Sequence, residues 1–172
     1  MRRFAFIAPL AAVMAVAATA QAQTEPRISV TLGPRVQAEA RNLGEREVAR
    51  QADRLAEVVG RALAESDRYD GAEVRLILTD LKPNRPTFEQ VARTPGLSPI
   101  DSLSVGGAEI QVEVVQPNGD RTSGRFDYFS HNIEEVRGFT TWQDADRAYA
   151  RVASRLADGR IRKGEMLRLG GG

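Results

Sequence analysis

The chain is 172 residues long, carries 24 Lys and Arg against 23 Asp and Glu, and has no cysteine. That length suffices for one domain with a hydrophobic core. The missing thiols exclude disulfides, a thiol nucleophile and cysteine metal sites, and the near-neutral charge excludes a global electrostatic pull toward nucleic acid.

Arg2 and Arg3 open the chain, Phe4 to Ala18 is uncharged and mostly apolar, and Ala20-Gln21-Ala22 places small residues where a signal peptidase reads them. This is the pattern of a cleaved secretory signal over residues 1–22. The apolar run is about 15 residues, short of the roughly 20 that a spanning helix needs. Without a cysteine after the cleavage point no lipid anchor is expected, and no later segment is apolar enough to cross a bilayer. The expectation is an unlipidated periplasmic protein. Loss of the two arginines leaves 22 basic against 23 acidic side chains.

Ile28 to Leu32 alternates apolar and polar residues and predicts a short half-buried strand, ended or bent by Gly33-Pro34. From about Gly44 to Ser66, Val48, Ala52, Leu55, Val59 and Leu63 recur at three and four, which predicts a long amphipathic helix. Ala72 to Leu81 alternates again through Val74, Leu76 and Leu78. Ala108, Ile110, Val112 and Val114 form a further alternating set. Gln116-Pro117-Asn118-Gly119-Asp120 then turns the chain into a strand over Thr122 to Phe129, an antiparallel hairpin. Thr141 is the expected cap of a last helix whose inner stripe is Trp142, Ala145, Tyr149, Val152 and Leu156. Asp158-Gly159 stops it. The predicted fold is α+β: a small, mainly antiparallel sheet with two amphipathic helices on one face. The domain spans residues 23–159, followed by a flexible basic and glycine-rich tail over 160–172.

Residues 82–107 form a long connection without a strand or a long helix, and such loops are often functional. Pro83, Pro86, Pro95 and Pro99 stiffen it. Thr87-Phe88-Glu89-Gln90 can cap one helical turn, and Phe88, Val91, Leu97, Ile100 and Leu103 give it apolar contacts of its own. It reads as an ordered loop against the sheet, either the rim of a binding surface or a cover for a sheet edge or face. Asn84, Arg85, Phe88, Leu97 and Asp101 are its candidate interaction residues.

Reaction chemistry is not on display. His131, with Glu134 and Glu135 nearby, is the only histidine, so a paired-histidine zinc site is excluded. No serine sits in a nucleophile elbow or precedes a lysine by three. Asp80, Asp101 and Asp127 lie near strand ends or in loops, where a hydrolase would place carboxylates. Gly106-Gly107 precedes a strand and is not a phosphate loop. Arginines recur every four residues at 46, 50 and 54 and again at 147, 151 and 155, interleaved with acids as on a solvated, ion-paired helix face. No catalytic residue, metal or cofactor is expected.

Asp80-Leu81-Lys82-Pro83-Asn84-Arg85-Pro86-Thr87-Phe88, Pro95-Gly96-Leu97-Ser98, Gly106-Gly107-Ala108 and Thr140-Thr141-Trp142-Gln143-Asp144-Ala145 together resemble a family of exported proteobacterial proteins of uncharacterised function. The resemblance runs from about Val30 to Leu156, and is looser to small helix-on-sheet envelope lipoproteins. It implies a periplasmic setting and carries over no functional residue. The expected function is non-catalytic binding of another envelope protein or a cell-wall component through the 82–107 loop. The alternatives are a small-ligand carrier with a pocket lined by Phe88, Tyr128 and Phe129, and a hydrolase using Asp80, Asp101, Asp127 or His131.

Overall fold

The computed structural model describes residues 25–136, 140–161 and 165–168. The expected signal segment, 1–22, lies outside the described residues. Strand β1 (Arg27–Leu32) leads into helices α1 (Pro34–Leu43) and α2 (Glu45–Ala64). Strand β2 (Glu73–Lys82) is followed by the short helix α3 (Phe88–Arg93). The hairpin strands β3 (Gly107–Val115) and β4 (Arg121–Phe129), helix α4 (Gln143–Ala157) and strand β5 (Glu165–Arg168) complete the order.

Among the described residues the strands form one five-stranded sheet in the order β1-β2-β3-β4-β5. The central pairings, β2 with β3 and β3 with β4, are antiparallel. Each edge strand is a shorter parallel addition. A parallel neighbour needs a crossover, and the helices supply it: α1 and α2 between β1 and β2, α4 between β4 and β5. The α+β class with a mainly antiparallel sheet is as the alternation predicts.

The core lies between one sheet face and the helix pair α2 and α4. Val74, Leu76, Leu78, Ile110, Val112, Val114 and Phe126 meet Leu55, Val59, Leu63, Tyr149, Val152 and Leu156, all buried. Tyr69 Oη donates to the Leu156 carbonyl at 2.8 Å. Burial pushes the Tyr69 and Tyr149 phenols above their ordinary pKa, so both remain neutral hydroxyls. Gln51, not the expected Ala52, is buried on α2, beside the Tyr149 hydroxyl at 3.4 Å.

Gly33-Pro34 ends β1 as expected, and Pro34 also opens the unanticipated helix α1, where its missing N–H costs nothing and its fixed φ suits the first turn. Gly44, at φ 95°, then breaks α1 from α2. Two other expectations are corrected. Thr141 is not the cap of α4. The N-cap is Trp142, which makes no side-chain cap bond. The domain also continues past 159: Ile161 packs on the core, and the backbone of β5 pairs with Gly124–Asp127 inside the expected tail. Residues 162–164 and 169–172 of that tail lie outside the described residues.

Trp142 is 8 % exposed, and its Nε1 donates to Glu47 Oε2 at 3.2 Å. Replacing it removes apolar packing and a bond between the two core helices. Trp142→Ala is therefore expected to cost about 3–5 kcal/mol in urea unfolding.

Candidate functional site

The loop between β2 and β3 is fixed at its base by a buried polar knot. Asp144, fully buried on the first turn of α4, accepts from Asn84 Nδ2 at 2.5 Å, Ser130 Oγ at 2.7 Å and Arg147 Nη1 at 2.8 Å. In return the Asp144 N–H donates to Asn84 Oδ1 at 2.9 Å. A side chain 60 residues away thus supplies the cap that Thr141 does not. The Asn84 N–H donates to the Thr141 carbonyl, and the Ser104 N–H to the Asn84 carbonyl. A carboxylate so deep in the protein is tolerated only because charged and polar donors surround it.

The two glycines that close the loop have a steric reason. A Cβ at Gly106 would stand 2.6 Å from the Asn84 side chain, and one at Gly107 would stand 2.1 Å from the Tyr128 carbonyl oxygen. The knot and the hairpin leave no room for side chains there.

Further out, Arg85 is buried and donates to the Pro99 and Ile100 carbonyls. Thr87 and Gln90 form the reciprocal capping box of α3 that the sequence suggests. Ser98 Oγ accepts from the Ile100 and Asp101 N–H groups and donates to Asp101 Oδ2 at 2.8 Å. The loop is ordered by its own bonds from end to end.

Its apolar side chains do not all turn inward. Phe88 is 84 % and Ile100 74 % exposed, and Leu103 and Val105 are partly so. Four of the five exposed large apolar residues among the described residues, Ile133 being the other, belong to this loop. The expected packing against the sheet is corrected for Phe88 and Ile100. The loop joins two inner strands of the sheet, β2 and β3.

The five candidate interaction residues therefore separate. Asn84 and Arg85 are buried structural ties whose side chains are committed inside the protein, which corrects their reading as contacts. Phe88 and Asp101 are exposed, and Leu97 is half-buried in the wall of a hollow of about 330 Å³ with Pro83, Pro86, Leu103 and Val105. Ile100, expected as an internal contact, is exposed, and its place directly after Pro99 in a stiff loop is the one sequence signal for that. A second concavity, about 730 Å³, runs between the α1–α2 junction and α3, with Arg41, Arg46, Arg50 and Arg93 around Phe88. Neither hollow includes Tyr128 or Phe129. Tyr128 is buried beneath Arg151, with the guanidinium 4.3 Å from the ring centre, and Phe129 lies under Lys82.

Asp80 and Asp127 flank Glu109 in one cross-strand row on the sheet face away from α2 and α4. Like charges directly opposite repel. Arg35, from α1, meets Asp80 at 3.2 Å, and Arg125 pairs with Glu109 at 2.5 Å. Burial is the largest single influence on Glu109 and pushes its carboxyl up, but the bonds from Arg125 and Thr79 and the nearby charges outweigh it and hold the carboxyl below its usual value. Asp101 instead lies in the Ser98 turn, and exposed His131 faces Glu135 at 3.4 Å. The arginine rows are largely engaged: Arg50 with Glu47, Arg54 with Glu57 and Asp146, Arg147 with Asp144. Among the described residues no group of three or more His, Asp or Glu could hold a metal ion, and no helix is long and apolar enough to cross a membrane.

No protein-family model and no curated protein matches the chain. A solved structure of a putative lipoprotein from Caulobacter crescentus CB15 matches with a TM-score of 0.38 at 16 % identity, covering 78 % of this chain and 86 % of that one. At that distance the likeness identifies no ligand or partner.

Two measurements test the site. Asn84→Ala leaves Asp144 short of a donor and an amide uncapped, and is expected to cost about 3 kcal/mol and to speed hydrogen exchange at the Asp144 and Ser104 amides. Because the folded carboxyl of Glu109 is held low, its contribution is complete above the ordinary value of about 4 and is lost as pH falls through the folded value. Glu109→Gln should lower the melting temperature at pH 7, with the gap to the parent protein closing in acid.

Proposed function

We propose that this is a non-catalytic binding protein of the bacterial envelope, working in the periplasm, that holds another protein or a cell-wall component on the outer surface of residues 82–107. One observation supports the reading above others. Apolar side chains cluster on the outside of a loop whose backbone is already fixed by buried bonds. A rigid segment gains nothing for its own fold by displaying Phe88 and Ile100 to water, whereas a prearranged contact surface binds with little ordering cost. The apolar hollow beside Leu97 suits an inserted aliphatic or aromatic side chain of the partner.

The test separates contact from stability. Phe88→Ser with Ile100→Ser removes exposed side chains only, so the melting temperature should stay within about 1–2 °C of the parent. A photoreactive amino acid at Thr94, on the same loop, should crosslink a defined envelope component in cells, and the double substitution should abolish that product. An undiminished product, or none from the parent chain, would refute the assignment.

A further inference from the structure

Among the described residues the outer edge of β1 carries backbone groups without a partner strand, and the ladder identifies them. The Arg27 N–H donates to the Ala72 carbonyl, and the Gly33 N–H to the Leu78 carbonyl. With the register Arg27 to Glu73 through Leu32 to Leu78, the odd residues from 27 to 33 turn their backbone groups to β2. The groups of Ile28, Val30 and Leu32 therefore point away from the sheet. Gln37 Nε2 bonds the Leu32 carbonyl at 2.6 Å, which leaves that oxygen one lone pair. Between the flanking Pro26 and Pro34, the strand Arg27–Leu32 itself has no proline, lysine or bulge, although natural sheets commonly protect their edges in such ways.

The side chains are also arranged for pairing. Arg27, Ser29 and Thr31 are exposed, while Ile28, Val30 and Leu32 are only half-buried against the core. On α2, Gly60 lies beside Ile28, and Ala52 and Ala56 share its side of the helix by their spacing of four. Both alanines are half-buried. The flank of the open edge is therefore low and apolar.

We propose that β1 is a self-association edge, at which two copies of the chain pair antiparallel about Val30 into one continuous sheet. The strand is complementary to itself in this register. Val30 lies opposite Val30 of the second copy, Ile28 opposite Leu32, Ser29 opposite Thr31, and Arg27 opposite Gly33. Apolar meets apolar, hydroxyl meets hydroxyl, and no like charges stand opposite each other. Every outward N–H and carbonyl of the three even residues finds a partner. The two-fold arrangement is closed, so it stops at a dimer. This surface is separate from the 82–107 loop and does not depend on the role proposed for it.

A single strand pair is smaller than a standard interface, so the dimer is reversible and should be evident by sedimentation near 100 μM, roughly where such weak contacts saturate. Val30→Pro removes an outward N–H together with the half-buried valine side chain, leaves the bonds to β2 in place, and should give a monomer that keeps its strand content by circular dichroism. Ser29→Glu with Thr31→Glu acts from exposed positions, sets carboxylates opposite one another, and should weaken the dimer about tenfold or more. Mixing that protein with Ser29→Lys, Thr31→Lys should restore a heterodimer. In the parent, the Ile28, Val30 and Leu32 amides should gain hydrogen-exchange protection as concentration rises. A parent that stays monomeric, or a dimer unaffected by the acidic pair, overturns the proposal.

Discussion

The bond pair between Asn84 and Asp144 is the constraint on which the rest of this structure depends. It joins the start of the 82–107 loop to the first turn of α4, and Ser130 extends it to the end of β4. A buried carboxylate is costly unless it is surrounded by donors. Here the donors come from separate segments, so the carboxylate is satisfied only when loop, hairpin and helix are all in place. The knot therefore acts as a check on assembly as well as a cap.

From that anchor the loop inherits its stiffness. Arg85 ties the far limb through two carbonyls, and the Thr87–Gln90 box sets α3. The core is complete without Phe88 or Ile100, because Leu55, Tyr149, Ile110 and their neighbours already fill the space between sheet and helices. The loop's apolar residues are thus surplus to folding. That surplus, with the rigidity beneath it, separates this segment from an ordinary surface connection.

Much of the fold was legible in the sequence because its longest elements have strong periodicity. The stripe through Val48, Leu55, Val59 and Leu63 and the alternations of β2 and β3 admit one period each. What failed was short or non-local. Helix α1 buries only Val36 and Leu43, too few to mark a period. Strand β5 has four residues and is defined by a parallel partner across a crossover. The cap of α4 comes from Asn84, which no local motif could indicate, so the adjacent Thr141 looked sufficient. The candidate site was half legible: Phe88 and Asp101 are at the surface, whereas Asn84 and Arg85 stood out in sequence for polar chemistry that serves the interior.

Strand direction separates the loop from the end of the sheet at which the described chain enters. Strand β1 starts at Arg27 beside Glu73, and β2 runs from there to Lys82, where the loop begins. Nine residue steps at about 3.3 Å each put the loop roughly 30 Å from the point where the described chain enters the sheet. The loop therefore stands at the far end of a stiff sheet from Arg27, and strand length sets that separation.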